Sequence, residues 1–378
     1  MTQESHVSNA VPEAAAVAVP ADAESPPADQ SFGTELWVFR VEEGLGNACA
    51  LIFPDGSGAV VDWGTQRAEP LKALIALLQR APIPRLRFVV ATHSHADHTL
   101  GLEGLLVATA DRGIKAERLI FPTAVRGSTR THLGRACLRA LDLGIKMSSV
   151  AVSTLPESPP APPVAVGVRP GHPDHGWIVR VIAPIDTGIG AAEARAERRG
   201  TTPGNETSLI LQFAFRYRGK SHGRGRALLP GDATIATLRL ARRKSEEFPE
   251  LSLTNDALVI PHHGSRRNWI SDLTDTLRGF ALVSAPSGRV HHPSADVLRQ
   301  AVSACGSGDD SRLVCTSFAG VCHAAWRKDS RGAGAQPGRL DPCFGDVAVR
   351  LSFDTPPRLI AHDPLGPARR QFGHCRPR

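Results

Sequence analysis

Apolar and polar positions along this chain predict short strands first and a mixture of strands and helices afterwards. Three apolar runs within residues 35–64 are separated by turns rich in glycine and proline, which predicts an antiparallel start. Residues 69–79 then carry apolar side chains at helical spacing, and residues 86–92 form a run typical of a buried strand. Strand and helix patterns continue to alternate up to a last strand at residues 344–353. This alternation predicts the α/β class.

The two ends of the chain differ from its middle. Residues 1–33 are rich in alanine, proline and acidic residues and contain no lysine or arginine, which predicts a disordered tail. Residues 356–378 are basic and predict a second tail. We therefore expect one folded domain at residues 34–355, interrupted by a surface excursion at residues 152–176 that is rich in proline, serine and glycine.

The charge of the chain is unevenly distributed. Its net charge is +7, but the five charged side chains of the N-terminal tail are all acidic, so the remaining residues carry +12. So basic a domain favours an anionic partner, with nucleic acid first. A genome that prefers arginine codons would produce the same excess without any such partner.

Cysteine content and hydropathy bear on the cellular compartment. Seven cysteines, an odd number without a C-x-x-C pair, do not predict a disulfide framework. No apolar run is long enough to cross a membrane, and the apolar stretch near the N-terminus lacks the basic residues of a secretory signal. These features predict a protein of the reducing cytoplasm without a membrane partner, and they leave its protein partners open.

The densest chemistry lies in the segment "ATHSHADHTL", directly after the strand pattern of residues 86–92. Alternation along an extended backbone would place His93 and His95 on one side, with Asp97 and His98 following a turn. One loop would then offer ligands to two ions, and imidazole nitrogen with carboxylate oxygen suits Zn²⁺ or Mn²⁺. The alternative is a polar loop whose histidines only cap a helix.

The segment "THSHADH" resembles the H-x-H-x-D-H signature of the metallo-β-lactamase fold, a four-layer αββα sandwich with metal ions at one edge of its two sheets. Asp62 in "AVVDWG" resembles the first motif of that family, an aspartate that orients the metal loop by hydrogen bonding. Asp232 in "LLPGDA" resembles its bridging aspartate, and His262 or His263 in "VIPHHGS" resembles its late histidine ligand. The resemblance covers roughly residues 35–320 and implies the same fold.

Five segments in the same order narrow the resemblance to the metallo-β-lactamase domain of the competence protein ComEC, a DNA-uptake channel, and its relatives. They are "EEGLGNACALIFPDGSGAVVDWG", "NETSLIL", "LLPGDA", "VIPHHGS" and "HHPSADVL". Many hydrolases of this fold have a histidine as their third motif, where this chain has Asn205 and Ser208, a difference that ComEC-like sequences share. The absence of that histidine leaves one metal ion short of a ligand. Asn47 and Leu100 also depart from the common pattern.

By resemblance, the cofactors are two divalent ions, Zn²⁺ or Mn²⁺, which activate a hydroxide for hydrolysis. The implied metal ligands are His93, His95, Asp97, His98, Asp232 and one of His262 and His263. His93 and His95 would hold one ion. Asp97, His98 and the late histidine would hold the other, and Asp232 would lie between the two ions. Asp62 would support these ligands from behind.

Local charge favours phosphodiester hydrolysis, with nucleic acid as the substrate. Two arginines follow "HHGS" directly, and the hairpin at residues 215–226 carries five more basic side chains. A hairpin tip that is merely solvated is the alternative. The side chains expected to contact substrate are Asn205, Ser208, Ser265, Arg266 and Arg267.

Catalytic roles are expected for Asp97, Asp62 and His292. The segment "HHPSADVL" places its two histidines just ahead of a helix, where one of them would protonate a leaving oxygen or instead cap the helix. Tyr217 and Trp269 would either stack on bases or belong to the core.

Three functions are consistent with these patterns. The leading hypothesis is a metal-dependent nuclease that cleaves DNA or RNA. A hydrolase of the same fold that acts on a lactone, a thioester or a cyclic nucleotide is the second, and it would need a defined apolar pocket. The third is a non-catalytic module that binds nucleic acid or protein, which failure to bind metal would favour.

Overall fold

Two β-sheets lie face to face, and helices cover the outer face of each. The computed structural model describes residues 32–41, 46–123, 130–150, 162–169, 171–183, 204–221, 224–284, 292–305, 313–316 and 346–360. All of these residues belong to one compact unit, Ser31–Arg378.

The described part of the chain contains strands that are short and mostly buried. In chain order they are β1 (Gly33–Val38), β2 (Ala48–Ile52), β3 (Gly58–Trp63), β4 (Arg85–Val90), β5 (Lys115–Ala116), β6 (Arg118–Pro122), β7 (Lys146–Val150), β8 (Ala165–Arg169), β9 (His172–Ala183), β10 (Ile210–Tyr217), β11 (Lys220–Ser221), β12 (Ala227–Leu229), β13 (Asn255–Val259), β14 (Leu277–Val283), β15 (Leu313–Cys315), β16 (Val347–Ser352) and β17 (Arg358–Ile360).

The first sheet has the order β17-β16-β1-β2-β3-β4-β6-β7, with β5 beside β4. Its first three strands in the chain pair antiparallel, as the sequence predicts, and the pairs β3–β4, β4–β6 and β6–β7 are parallel. Because β3 and β4 are parallel neighbours, their carboxyl ends meet at one edge of the sheet.

The second sheet has the order β15-β14-β13-β12-β10-β9-β8, with β11 beside β10. Strands β8, β9, β10 and β12 pair antiparallel, whereas β12, β13, β14 and β15 are parallel. The carboxyl ends of β12 and β13 therefore also meet at one edge, beside the start of β10.

Helices occupy the two outer layers. In chain order they are α1 (Ala68–Leu78), α2 (Ala96–Thr99), α3 (Leu102–Ala110), α4 (His132–Asp142), α5 (Ile235–Glu247), α6 (Asp272–Thr276) and α7 (Ala295–Ala304). Helices α1, α3 and α4 pack on the outer face of the first sheet, where Trp37 and Val60 lie. Helices α5 and α7 pack on the outer face of the second sheet, where Ile210 and Leu258 lie.

The core between the sheets is built from alternate side chains of their strands. Leu36 of β1 faces this space together with Leu211 and Phe213 of β10. The aromatic rings of Phe53 and Trp177 stack across the interface with centroids 3.9 Å apart. Burial on both faces explains why these strands read as nearly continuous apolar runs. The predicted αββα sandwich is confirmed.

The described fold extends beyond the boundaries predicted from composition. Phe32 is buried against Phe215, and β17 adds a strand after residue 355. The excursion predicted for residues 152–176 is shorter than expected, because β8 and the start of β9 form a hairpin at its end. Residues 1–31 and 361–378, which include most of both predicted tails, lie outside the described residues.

Membrane insertion through helices has no support in the described residues. Their longest helix, α5, has 13 residues, and none combines the length and apolar character that a bilayer span requires.

Candidate metal centre

The histidine-rich motif lies in a bend that follows strand β4. This strand ends at Val90, and residues 92–94 bend before the short helix α2 begins at Ala96. The rings of His93 and His95 stand edge to face, with centroids 4.7 Å apart. It is this bend, and not the alternation predicted for an extended strand, that brings the two rings together.

Asp62 fixes the position of this loop. It is completely buried near the end of β3, and its backbone is left-handed with a φ of 61°. Its carboxylate accepts hydrogen bonds from the backbone N–H of Thr92 (2.7 Å), from the Thr92 hydroxyl (2.8 Å) and from Nδ1 of His98 (2.7 Å). Nδ2 of Asn47 donates a fourth, longer bond at 3.4 Å. Four donors hold the carboxylate in one orientation, so Asp62 ties the end of β3 to the loop after β4.

Three buried histidines are oriented by hydrogen bonds at Nδ1. Nδ1 of His98 donates to Asp62, and Nδ1 of His263 donates to a backbone carbonyl at 2.9 Å. The hydroxyl of Thr92 donates to Asp62 and therefore accepts from Nδ1 of His93, at 3.2 Å. A proton on Nδ1 leaves the lone pair on Nε2, which is the form of imidazole that binds metals.

The Nε2 atoms of these three histidines are buried, and none makes a hydrogen bond. A polar nitrogen buried in this way costs free energy, and coordination to a divalent metal ion removes that cost. The residues present therefore fit a metal site.

Asp97 and Asp232 contribute carboxylate oxygens close to these nitrogens. Oδ1 of Asp232 lies 3.0 Å from Nε2 of His98, out of hydrogen-bond alignment, and its Oδ2 lies 3.8 Å from Nε2 of His93. Oδ2 of Asp97 lies 3.7 Å from Nε2 of His263 and 4.0 Å from Nε2 of His98. Two ligand atoms that share one zinc ion are about 3 to 4 Å apart, so these distances suit shared coordination.

The ligand atoms form two groups that have one carboxylate in common. Within each group, one atom of every residue lies within 4.8 Å of the others. The first group is Asp97, His98, Asp232 and His263, and the second is His93, His95 and Asp97. The loop predicted to serve two ions thus contributes to both groups.

Electrostatics also favour cations here. Burial alone would raise the pKa of Asp97, but His263 and His98 lower it to about 2. Burial opposes the change at Asp232 too, yet the nearby His98 and His93 hold the pKa of that carboxyl well below its usual range. Burial alone would lower the pKa of His98, but Asp232 and Asp62 raise it well above its usual value. Ionised carboxylates are thus in excess, and nitrogen and oxygen donors with this charge suit divalent metal ions.

The two histidines of "HHGS" face different neighbours. Both lie in the turn after β13 with left-handed backbones, at φ values of 46° and 52°. His263 is buried within the ligand group that contains Asp97 and Asp232. The His262 side chain is 23% exposed, and its Nε2 lies 3.5 Å from Oδ2 of Asp232. His263 therefore sits among the ligands, and His262 stands at their rim.

The segment that contains the histidine loop matches the model of a known family. Residues 43–130 match the model of the Metallo-beta-lactamase superfamily, and this segment includes Asp62 and the whole histidine loop. The described structure has the metallo-β-lactamase fold, and residues 43–130 within it match that superfamily. No curated protein sequence matches the chain. Nothing in these comparisons supports the narrower resemblance to ComEC.

Several solved structures resemble this metallo-β-lactamase domain at a distance. The metallo-β-lactamase fold protein YhfI from Bacillus subtilis matches with a TM-score of 0.37 and 13% sequence identity, and the match covers 75% of this chain and 95% of YhfI. A diphosphatase from the PhnP family matches with a TM-score of 0.35 and 12% sequence identity, over 75% of this chain and 94% of the diphosphatase. The metallo-β-lactamase MIM-1 from Novosphingobium pentaromativorans matches with a TM-score of 0.28 and 13% sequence identity, over 79% of this chain and 87% of MIM-1. These likenesses are too distant to indicate a substrate.

Two of the side chains predicted to contact substrate are used inside the metallo-β-lactamase domain instead. Ser208 is completely buried, and its hydroxyl accepts a hydrogen bond from the backbone N–H of Asp232 at 2.9 Å. Ser265 is 3% exposed, and its hydroxyl accepts from the backbone N–H of Arg267. The Ser208 hydroxyl holds the turn that carries Asp232, and the Ser265 hydroxyl holds the turn that follows His263. Asn205 contacts His262, with Nδ2 3.2 Å from the ring's Nδ1.

The predicted basic groups divide into two sets. Arg266 and Arg267 are exposed and directly follow the turn that carries His263. The hairpin at residues 215–226 lies at the other end of β10, about 23 Å from the strand's first residue at roughly 3.3 Å per residue. Arg226 in this hairpin is also buried, and Asp256 accepts a hydrogen bond from its backbone N–H. The basic groups at the far end of β10 are therefore not part of the metal groups.

His292 stands beside the metal groups. Its ring centroid is 5.4 Å from that of His262, and the side chain is half-buried. Helix α7 has Ser294 at its N-cap, so His292 does not cap it; the other histidine of the pair, His291, lies outside the described residues. Trp269 is buried in the core and donates to Gln300, so it cannot stack on a base.

Sequence reasoning missed three residues that position the ligands. Thr92 links Asp62 to His93, the Ser284 carbonyl accepts from His263, and Asn268 accepts from Nδ1 of His262 at 2.8 Å. Thr92 had a sequence signal, because it directly precedes the histidines. Ser284 and Asn268 had none, since an ordinary turn residue gives no sign of the side chain it will contact.

Removing the charge of Asp62 should weaken metal binding without unfolding the metallo-β-lactamase domain. Asparagine tolerates the left-handed backbone, so Asp62→Asn keeps the local conformation. Loss of the carboxylate behind His98 should lower metal affinity by about 10- to 100-fold, as measured by competition with a chromogenic chelator. The control is Asp111→Asn, which changes an exposed aspartate. Equal affinities for the two variants would contradict the role assigned to Asp62.

Proposed function

We propose that this chain is a metal-dependent phosphodiesterase that cleaves nucleic acid and prefers DNA to RNA. The observation that carries the proposal is the pair of exposed guanidinium groups, Arg266 and Arg267, that directly follow the turn bearing His263. Guanidinium groups bind phosphate oxygens in pairs of hydrogen bonds, and arginines at this rim would neutralise the backbone next to the bond being cleaved.

The two arginines are available for such contacts. Arg266 forms an ion pair with Asp296 at 3.5 Å, but its side chain is 80% exposed, and exposed pairs of this kind contribute little. A phosphate would therefore recruit Arg266 at small cost. The net charge of +12 outside the N-terminal tail and the resemblance of five segments to ComEC-type domains support a polyanionic substrate as well.

The ligand groups supply the hydrolytic chemistry. Two bound divalent ions would activate water and stabilise the charge of the attacking and leaving oxygens, for which both Zn²⁺ and Mn²⁺ are suitable. Asp97 and Asp232 provide the negative charge that holds such ions, and Asp62 keeps His98 turned toward them. Because these side chains are fixed by the sheets, they need no rearrangement when substrate binds.

His292 is suited to donate the proton that the leaving oxygen requires. Its half-buried ring lies on the same rim as His262, with centroids 5.4 Å apart. An imidazole exchanges protons near neutral pH, so it can protonate the leaving alkoxide and be reprotonated by solvent.

The proposal is tested by an assay on single- and double-stranded DNA and RNA, run beside a panel of lactones, thioesters and cyclic nucleotides. Each reaction contains purified protein with Zn²⁺ or Mn²⁺. We expect cleavage of oligonucleotides that disappears in chelator and in Asp97→Ala. Arg266→Gln/Arg267→Gln should raise KM for DNA several-fold, more at low salt, while kcat changes little.

Three results would reject this proposal. Intact oligonucleotides together with cleavage of one of the small molecules would make the chain a small-molecule hydrolase. Cleavage that persists in Asp97→Ala would show a contaminating nuclease. A chain that binds no metal under any condition would instead be a non-catalytic module.

A further inference from the structure

The two ligand groups are unequal in the number of side chains that serve them. One contains Asp97, His98, Asp232 and His263, whereas the other contains only His93, His95 and the shared Asp97. The sequence segment that would provide a third histidine in many proteins of this fold contains Asn205 instead. We infer that His262 takes the place of this histidine and completes the ligand set of the ion held by His93 and His95, so that each histidine of "HHGS" serves a different ion.

The two carboxylate oxygens of Asp232 face the two groups separately. Oδ1 lies 3.0 Å from Nε2 of His98, on the side of His263. Oδ2 lies 3.8 Å from Nε2 of His93 and 3.5 Å from Nε2 of His262. One oxygen therefore marks each ion position, and His262 shares its oxygen with His93. This arrangement assigns His262 to the ion of the smaller group.

The ring of His262 is oriented with its metal-binding nitrogen inward. Its Nδ1 lies 2.8 Å from Oδ1 of Asn268. Nδ2 of Asn268 donates to the backbone carbonyls of Asp232 and Ala233, which fixes the amide with its oxygen toward the ring. Nδ1 of His262 must therefore be the donor, and the lone pair lies on Nε2, toward Asp232.

Asn205 reinforces this orientation. Its amide lies 3.2 Å from Nδ1 of His262, and its Oδ1 is buried without a hydrogen bond. Rotation of the amide by half a turn, which exchanges two atoms that look nearly alike, would place Oδ1 where Nδ1 of His262 can donate to it. The residue at the third-motif position thus contacts the substitute ligand, so Asn205 acts as a positioning residue for His262.

The backbone of the turn explains how adjacent residues can serve two ions. His262, His263 and Gly264 all have positive φ, at 46°, 52° and 82°. Adjacent residues of a strand point to opposite faces, but this left-handed turn directs both rings to the same carboxylate region. Residues other than glycine adopt this conformation at a cost, which the fold sustains at functional sites.

This inference rests on the metal dependence of the proposed function but not on its substrate, and metal stoichiometry tests it. Zn²⁺ bound per chain is measured by elemental analysis after equilibrium dialysis, and Co²⁺ titration followed by visible absorption gives the affinity of each ion. The variants are His262→Ala, His263→Ala and Asn205→Ala. The control is His172→Ala, which removes an exposed histidine of β9. Circular dichroism in chelator establishes that each variant folds.

We expect two ions per chain in the unaltered protein and in His172→Ala, and one ion in His262→Ala. In Asn205→Ala the affinity for the ion held by His93, His95 and His262 should fall about tenfold, while the affinity for the other ion stays unchanged. His263→Ala should also keep one ion, but with a different Co²⁺ spectrum, since the other ligand group is then intact. Two ions of unchanged affinity in His262→Ala, or one ion in the unaltered protein at saturating Zn²⁺, would overturn the inference. A two-ion protein that cleaves no oligonucleotide would overturn the nuclease proposal alone.

Discussion

Replacing Asp232 by asparagine should abolish the proposed hydrolysis and the binding of both proposed metal ions. Its carboxylate presents one oxygen to His98 and the other to His93 and His262, so a single amide disrupts both ligand groups. The side chain keeps its size and the backbone its hydrogen bond to Ser208, so the fold should persist. Loss of several kcal/mol of transition-state stabilisation corresponds to a fall in kcat/KM of about 10³-fold or more.

The measurements for Asp232→Asn are metal content and the rate of hydrolysis of a chromogenic phosphodiester. Asp275→Asn is the matched control, because it makes the same change at an exposed position on α6, and it should retain both ions and full activity. Asp232→Asn with two bound ions and a rate within tenfold of the unaltered protein would show that Asp232 does not lie between the metals.

Replacing Gly64 by alanine should displace the histidine loop. A Cβ at this position would lie 1.7 Å from the backbone carbonyl oxygen of Asp97 and 3.1 Å from the backbone nitrogen of Asn47. That nitrogen donates to the same carbonyl at 2.8 Å, so the methyl group would enter the contact that ties the loop to β2. We expect a loss of about 1–3 kcal/mol in the free energy of unfolding, which is typical of overpacking, together with loss of tightly bound metal.

Gly104→Ala provides the comparison, because a Cβ there meets no atom within 4 Å and the residue lies inside helix α3. Alanine suits a helix interior better than glycine by roughly 0.5–1 kcal/mol, so this variant should be as stable as the unaltered protein or slightly more stable. Thermal unfolding and metal content measure both variants. If Gly64→Ala binds metal as tightly as Gly104→Ala, close packing at Gly64 does not position the loop.

The parts of the site that could be predicted from the sequence are those carried by short segments. The H-x-H-x-D-H loop, Asp62 and Asp232 follow apolar strand patterns directly, and parallel strands bring their carboxyl ends to one edge. The roles expected for Asp62 and Asp232 came from the family resemblance, and the meeting of parallel strand ends explains why the fold brings them to the histidine loop. The apolar runs mark most of the strands, whereas the two-layer sandwich was expected from the family resemblance.

The remaining features depend on contacts that no local pattern encodes. The choice between His262 and His263 depends on two left-handed backbones and on amides from distant segments. Ser208 and Ser265 looked like substrate ligands because hydroxyls serve equally well in turns, and only their burial distinguishes the two uses. The distance between the basic hairpin and the metal groups likewise could not be predicted, because charge alone does not tell how far a strand carries its end from the site.

The division of the ligands between the two sheets also affects when the centre can form during synthesis. Asp232 comes 134 residues after His98, and His263 comes later still. A partly made chain that ends before the second sheet carries the histidine loop without the groups that complete either ligand set. A centre that needs Asp232 and His263 is therefore expected only once synthesis has passed His263, and a fragment that stops earlier also lacks β16 and β17, which complete the first sheet.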